Sequence, residues 1–490
     1  MRRRSWFLAA LSLTLTLAGC LRGDLIVNGG TGSNASGTGS NSGPPVSSSG
    51  VIAVGTISRF GSVIVNGVEY SSSGANITVD GLSNGSETAL QLGMVVTVQG
   101  TMNSGSTTNG TAASITYRPV LRGAADGAPS VSGNTGTFTI HGLIVQTDET
   151  TLFDNTQGLA AIVAGTVVEV SGYRDASGSI RATRVAQTTS GNGEAVQGSI
   201  SGVTGTTFQI GSLTVNYASA TRTNIPAGGL INGLIVQVTS AAAPQSGVLL
   251  ASSVSVQATG VNASDGAQAQ LEGVVDGLSG SSFKLNGQGV SVSTTTTFLN
   301  GSSSGLFNGQ LVQVVGTLRG GVVLASSVRF VPSADSFLST AVTAVDTNNS
   351  SVTVFGVPGI VANVDRFTTF GDTSSSKARP FNLNNLTTGD HVTIQGVHTA
   401  TNTLSATRLL RTDPGSQVLL KGTVDSAAVP TLTILGINSG SDSSTVFLDS
   451  NGNALTQLQF FSQVAPGSIV AVEGTFSGTA IAATQVRFGP

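Results

Sequence analysis

The chain has 490 residues, of which only 9% are charged, against about 25% in an ordinary soluble protein. Its formal charge is −3, with 65 Gly, one Cys and three His. Low charge without basic or acidic blocks argues against a nucleic-acid protein and an acidic disordered tail; one Cys cannot form an internal disulfide, and three His leave little for metal sites.

Met1-Arg2-Arg3-Arg4 is a short basic start, and Trp6 to Leu17 is an apolar run. That run is shorter than the ~20 residues of a membrane-spanning helix, so residues 1–19 read as an export signal peptide. Leu17-Ala18-Gly19-Cys20 ends it. These four residues resemble the lipobox of bacterial lipoproteins. The resemblance implies cleavage before Cys20, lipidation of Cys20, and attachment to a membrane through the N-terminal lipid. Leu21, where Asp would retain the protein, implies sorting to the outer membrane. Loss of the signal takes three of the 21 basic residues and none of the 24 acidic ones, leaving 18 against 24 and a net charge of −6. Residues 20–50 follow as the lipidated Cys and a Gly/Ser-rich tether. About 25 flexible residues reach roughly 25–30 Å.

Length alone predicts roughly three domains, but the rest of the chain repeats. Gly93-Met94-Val95-Val96-Thr97-Val98-Gln99-Gly100 returns at Gly165 to Gly172, Gly233 to Ser240, Gly309 to Gly316, Gly389 to Gly396 and Gly467 to Gly474. The fourth and sixth positions are always β-branched, the alternation of a half-buried antiparallel strand. Other strands keep the same phase. An opening strand carries Gly55, Gly123, Gly198, Gly273, Thr343 and Gly422, with Ser or Asp three residues later. A second strand carries Val63/Val65, Phe138/Ile140, Phe208/Ile210, Phe283/Leu285, Val352/Val354 and Leu432/Ile434. A tight turn follows, such as Asn66-Gly67 or Asn286-Gly287, then a third strand. A last strand has Ala and an apolar residue three later, as in Ala112/Ile115 and Ala325/Val328.

Five strands in about 70 residues predict an all-β chain of six tandem, small, five-stranded OB-like β-barrel domains. The expected repeats span 51–118, 119–190, 191–260, 261–332, 333–412 and 413–490. Gly158 to Ala164 and Leu383 to Leu386 could each form a helical turn; no segment has sustained helical periodicity. Barrel closure would remove the sheet edges. Beads of about 25–30 Å could reach about 150–180 Å in a row.

The repeat resembles the bacterial family called domain of unknown function 5666. Gly55-Thr56-Ile57, Val63 to Gly67, Gly93 to Gly100 and Ala112 to Ile115 carry the resemblance in the first copy. Copies three and five depart at Ser240 and Thr343. The resemblance implies a lipid-anchored envelope β protein and brings no catalytic residues.

Candidate chemistry is sparse. His141 stands where other copies have Asn66 or Asn286, the place of a turn residue. His391 and His398 fall in one copy only. Gly301-Ser302-Ser303-Ser304-Gly305 matches a hydrolase string but sits in a Ser/Gly run rather than between strand and helix. Asp449 to Asn453 lacks the Gly and Glu of a full Ca²⁺ loop. The recurring Asp126, Asp276, Asp346 and Asp425 suit turn capping. Tyr70, Tyr117, Tyr173 and Tyr217 are at unmatched places, and the only Lys are 284, 377 and 421, which suits no nucleic-acid track.

The expected function is that of a non-enzymatic cell-envelope lipoprotein without cofactor or metal, its barrels serving as spacer, scaffold or interaction surface. The alternative is a ligand-binding module for an envelope glycan, small molecule or partner protein. Cys20, as lipid attachment, is the one site residue expected.

Overall fold

The computed structural model describes residues 45–489 except 133–134, 258–259 and 357–358. The export signal, Cys20 and the tether up to residue 44 lie outside the described residues. Among those described, no helix is long and apolar enough to cross a membrane.

Each repeat is a five-stranded ring. In repeat 1 the strands are Val51–Phe60, Val63–Val65, Val68–Ser71, Val95–Met102 and Asn109–Tyr117. The first pairs with the second, the second with the third, and the third runs parallel to the fifth. The fifth pairs with the fourth, and the fourth returns to the first. The same ring recurs in repeats 4, 5 and 6. Repeat 3 closes with its last strand split in two, and repeat 2 closes through the Ala125–Ile140 bridge. These are the OB-like barrels that the periodicity predicts. The paired apolar positions of strands two, four and five are almost entirely withdrawn from water in all six copies.

The Gly pattern has a geometric cause. The fifth strand carries a one-residue bulge, so that Gln99 faces Ser114 while Gly100 faces Ala112. The bulge accounts for the three-residue spacing between Ala112 and Ile115. It also pushes a backbone carbonyl to where a Cβ on the motif's last Gly would stand: Thr111 O for Gly100 and Leu324 O for Gly316. In repeat 3 the fifth strand breaks between Leu250 and Ser253 and pairs with strand four without that bulge, and Ser240 takes the place of the Gly. The opening-strand Gly has a different neighbour. The first turn residue folds its side chain back over it, Asn66 over Gly55 and Asn286 over Gly273. In repeat 5, Phe355 instead meets Phe476 of repeat 6, ring centroids 5.2 Å apart, and Thr343 bonds to the carbonyls of Thr353 and Gly356.

Between strands three and four the chain lays a short strand parallel to the second half of strand five, such as Asn76–Val79 or Thr369–Asp372. Helical turns follow at Leu159–Ala161 and Leu383–Asn385, as expected from sequence, and also at Glu87–Ala89 and Ser303–Gly305. Repeat 6 has an α-helix there, Gln457–Gln463, closed by a Thr456/Gln459 capping box. No sustained helical periodicity announced this seven-residue helix, Gln457–Gln463.

The rings do not remain separate beads. The second strand covers only the far half of the opening strand, so closure leaves the near half with a free edge. Repeats satisfy that edge in pairs. Val51–Val54 runs parallel to Gln268–Leu271, joining repeats 1 and 4. Leu121 and Arg122 pair antiparallel with repeat 3, and Phe337 to Ser339 with repeat 6. Three continuous sheets result, each holding two barrels. One apolar core spans repeats 2 and 3, and another spans repeats 5 and 6. The last part of the expected tether is docked too: Val46 is buried in the repeat 4 core and bonds to Asn262 and Ser264.

Candidate functional site

The polar groups that matter most lie between repeats rather than within them. Tyr173, on strand four of repeat 2, points its hydroxyl into the junction with repeats 1 and 4. It donates to Glu272 Oε1 at 3.1 Å and lies 3.0 Å from Thr56 Oγ1. Thr56 donates to the same oxygen at 2.7 Å, and Gln313 Nε2 donates to Glu272 Oε2 at 2.8 Å. Both carboxylate oxygens are therefore occupied at a buried residue. Burial, then the Glu272 charge, pushes the Tyr173 hydroxyl well above its ordinary value, so it stays a neutral donor.

A second network locks repeat 1 to repeat 2. Tyr117 donates to Glu169 Oε1 at 2.7 Å, and Arg122 donates through Nε to Glu169 Oε2 at 3.1 Å. Arg122 also meets Asp80 at 2.5 Å. Burial opposes the Arg122 charge, but Glu169 and Asp80 outweigh it and raise its affinity for the proton. Arg184 pairs with Asp154 beside this network. Tyr70 likewise crosses from repeat 1 to Gln270 of repeat 4, at 2.9 Å.

Repeat 5 closes over this group. The Arg379 guanidinium sits 3.3 Å from the Phe60 ring centroid and donates to Leu90 O at 2.7 Å. Arg408 donates to the Glu149 and Thr150 carbonyls of repeat 2 at 3.0 and 3.1 Å. A cleft of about 780 Å³ remains between repeats 1, 2 and 5, with Phe153, Phe381, Lys377, Arg379 and Asp372 on its walls. Chemically these networks join barrels. Glu272 has both carboxylate oxygens bonded at a buried joint, and Glu169 bonds Tyr117 and Arg122 across the joint of repeats 1 and 2.

The residues singled out from sequence fall elsewhere. Cys20 is outside the described residues. His141 is the positive-φ residue of its hairpin turn, and its ring meets Glu194 of repeat 3. Asp126 caps that turn, accepting from the His141 and Gly142 amides; Asp425 does the same for Gly436. Asp346 caps a different turn, through Asn348 and Asn349. His391 bonds to Thr412, and the His398 amide to Asp335. The structure does not bring the three His together, and no group of three metal-ligating side chains occurs among the described residues. Ser303–Gly305 is a helical turn, and Asp449 accepts from the Asn451 and Asn453 amides as a turn residue. Three of the four Tyr, set aside as unmatched, are the cross-repeat donors. Their signal was the occurrence of Glu169 and Glu272 on apolar strands of a charge-poor chain.

No curated protein matches the chain. Among solved structures, "drosophila Unr CSD456" aligns with 44% of this chain and 98% of its own, at 13% identity and a TM-score of 0.12. The family described as Domain of unknown function (DUF5666) matches residues 130–186, 197–255, 272–329, 341–409 and 421–487. These segments fall in repeats 2 to 6 and take in repeats 3 and 5 despite Ser240 and Thr343; repeat 1 has the same ring without being matched. With five tandem copies over more than half of its length, the chain belongs to the DUF5666 family.

Proposed function

We propose that this chain is a non-enzymatic cell-envelope protein, held to the outer membrane by lipid on Cys20, whose barrels act together as a scaffold and interaction surface for an envelope protein or glycan. The observation supporting this reading is the buried Thr56–Tyr173–Glu272–Gln313 joint, which ties three repeats into one body. Such a joint suits a rigid platform better than an extensible spacer. Small-angle scattering of the mature chain tests the platform. A compact chain of this length has a radius of gyration of roughly 23 Å, whereas a linear string of six beads gives roughly 45–50 Å. Membrane fractionation tests the anchor. Cys20→Ala is expected to leave the membrane fraction, and retention equal to wild type would overturn the lipid attachment.

A further inference from the structure

A cavity of about 270 Å³ lies where repeats 1, 2, 3 and 4 meet. Val54, Val95, Val120, Ile235 and Val274 supply an apolar part of its wall. Arg118 and Arg174 also line it. Some arginines of the molecule hold carboxylates, as Arg122 and Arg184 share Glu169 and Arg411 holds Asp372; Arg59 and Arg408 instead donate to backbone carbonyls. The two cavity arginines form no salt bridge among the described residues. Arg118 makes no hydrogen bond there either, and its Nε is buried without an acceptor. The Asp80 charge reaches it, but that carboxylate is bound to Arg122. Arg174 donates to the Gly178 and Gln197 carbonyls, while its Nε is likewise buried and unpartnered. The neighbouring Asp175 is engaged by Ser177 and Ser179 in its own turn. Asp276, the other acid of the wall, faces Lys284 across its strand pair.

Burying a guanidinium Nε–H without an acceptor is costly, and an anion with two oxygens in one plane recovers that cost through charge-assisted bonds. The apolar wall asks for a compact apolar body on the same ligand. We infer that this cavity binds a small organic anion, its carboxylate or phosphate held by Arg118 and Arg174 and its apolar body against Val54, Ile235 and Val274. Burial pulls Arg174 down to about 10, which leaves it charged at neutral pH.

Calorimetric titration of the mature chain with benzoate and with phenyl phosphate tests this, with benzyl alcohol as the neutral match. At least one of the two anions is expected to saturate one site, with benzyl alcohol weaker by about tenfold or more. Arg118 donates to no described protein group, so Arg118→Gln is expected to keep the wild-type melting temperature without ligand and to lose affinity by about tenfold or more. Absence of saturable binding by both anions, equal binding of benzyl alcohol, or unchanged affinity in Arg118→Gln would each overturn the site. Should Arg118→Gln fail to fold, the arginine Nε–H resonances of the wild-type chain decide the matter. Benzoate or phenyl phosphate is expected to shift those of Arg118 and Arg174, and unmoved resonances in both titrations would overturn the site.

Discussion

His141 Nε2 lies 2.8 Å from Glu194 Oε2, so the hairpin turn of repeat 2 is held by the opening strand of repeat 3. Both side chains are buried, 7% and 8% exposed, and both stand over Gly123, where a Cβ would meet each at 2.5 Å. Gly123→Ala is therefore expected to prise the pair apart and destabilise the chain by about 1–3 kcal/mol. A double-mutant cycle on His141→Ala and Glu194→Ala is expected to return a coupling of about 0.5–3 kcal/mol. Additive effects of the two substitutions would show that this contact does not tie the repeats.

The bulge of strand five leaves no room for a side chain at the repeat's last Gly. At Gly316 the Leu324 carbonyl occupies the place of a Cβ, and backbone cannot swing aside as a long side chain can. Gly316→Ala is expected to lower the denaturant midpoint by the equivalent of about 1–3 kcal/mol. Gly205 has open space around it and no positive φ. Gly205→Ala is expected to stay within about 0.5 kcal/mol of wild type. Equal effects at the two sites would remove the steric account of the repeat's last Gly.

What sequence could show here, and what it could not, follows from the range of the interactions. Val96/Val98 and Val63/Val65 announce themselves because a pleated strand buries every second residue. The spacing of Ala112 and Ile115 was visible as a pattern, but its cause is a bulge that appears only when strand five is set against strand four. The helix Gln457–Gln463 is too short for periodicity to reveal, although Thr456 and Gln459 spell its capping box. The joining of repeat 1 to repeat 4, past two intervening barrels, was hidden more deeply. A parallel backbone ladder makes it, and the side chains that mark it are single residues, Tyr70, Tyr173 and Glu272, that no other copy carries at the same place. A periodic pattern describes what the copies share, whereas an interface is built from what distinguishes them.

Tyr173 tests that distinction directly. Tyr173→Phe keeps the ring beside Val274 and Leu311 and removes only the hydroxyl between Thr56 and Glu272. The expected cost is about 1–3 kcal/mol, because one donor to a buried carboxylate is lost. The loss is expected at the joint of repeats 1, 2 and 4, while each barrel core stays intact. Amide hydrogen exchange is expected to speed up around Thr56 and Glu272 and to remain at wild-type rates in repeat 6. Uniform acceleration across all six repeats would mean that the joint is not a local lock.

Two groups of repeat 5, His391 and Asp372, are expected to make stability fall in acid. Burial holds His391 below its ordinary value, and its Nδ1 lies 3.0 Å from Thr412 Oγ1. The unfolded chain takes up this proton near pH 6.5, before the folded chain does. Stability from His391 is therefore fully present above about pH 6.5 and is lost as pH falls through the lower folded value. Asp372 adds a second loss further into acid. Burial opposes its charge, but bonds from Arg411, Ser374, Ser376 and the Ala378 amide prevail and hold its carboxyl well below the usual carboxylate range. Its contribution is complete above about pH 4 and disappears below it. Denaturant midpoints between pH 8 and pH 3 are expected to fall in two stages. His391→Gln is expected to flatten the first stage and Asp372→Asn the second. A midpoint that does not change between pH 7.5 and pH 5 in the wild-type chain would contradict the assignment of His391, because a ring held below its ordinary value must cost stability once the unfolded chain can protonate it.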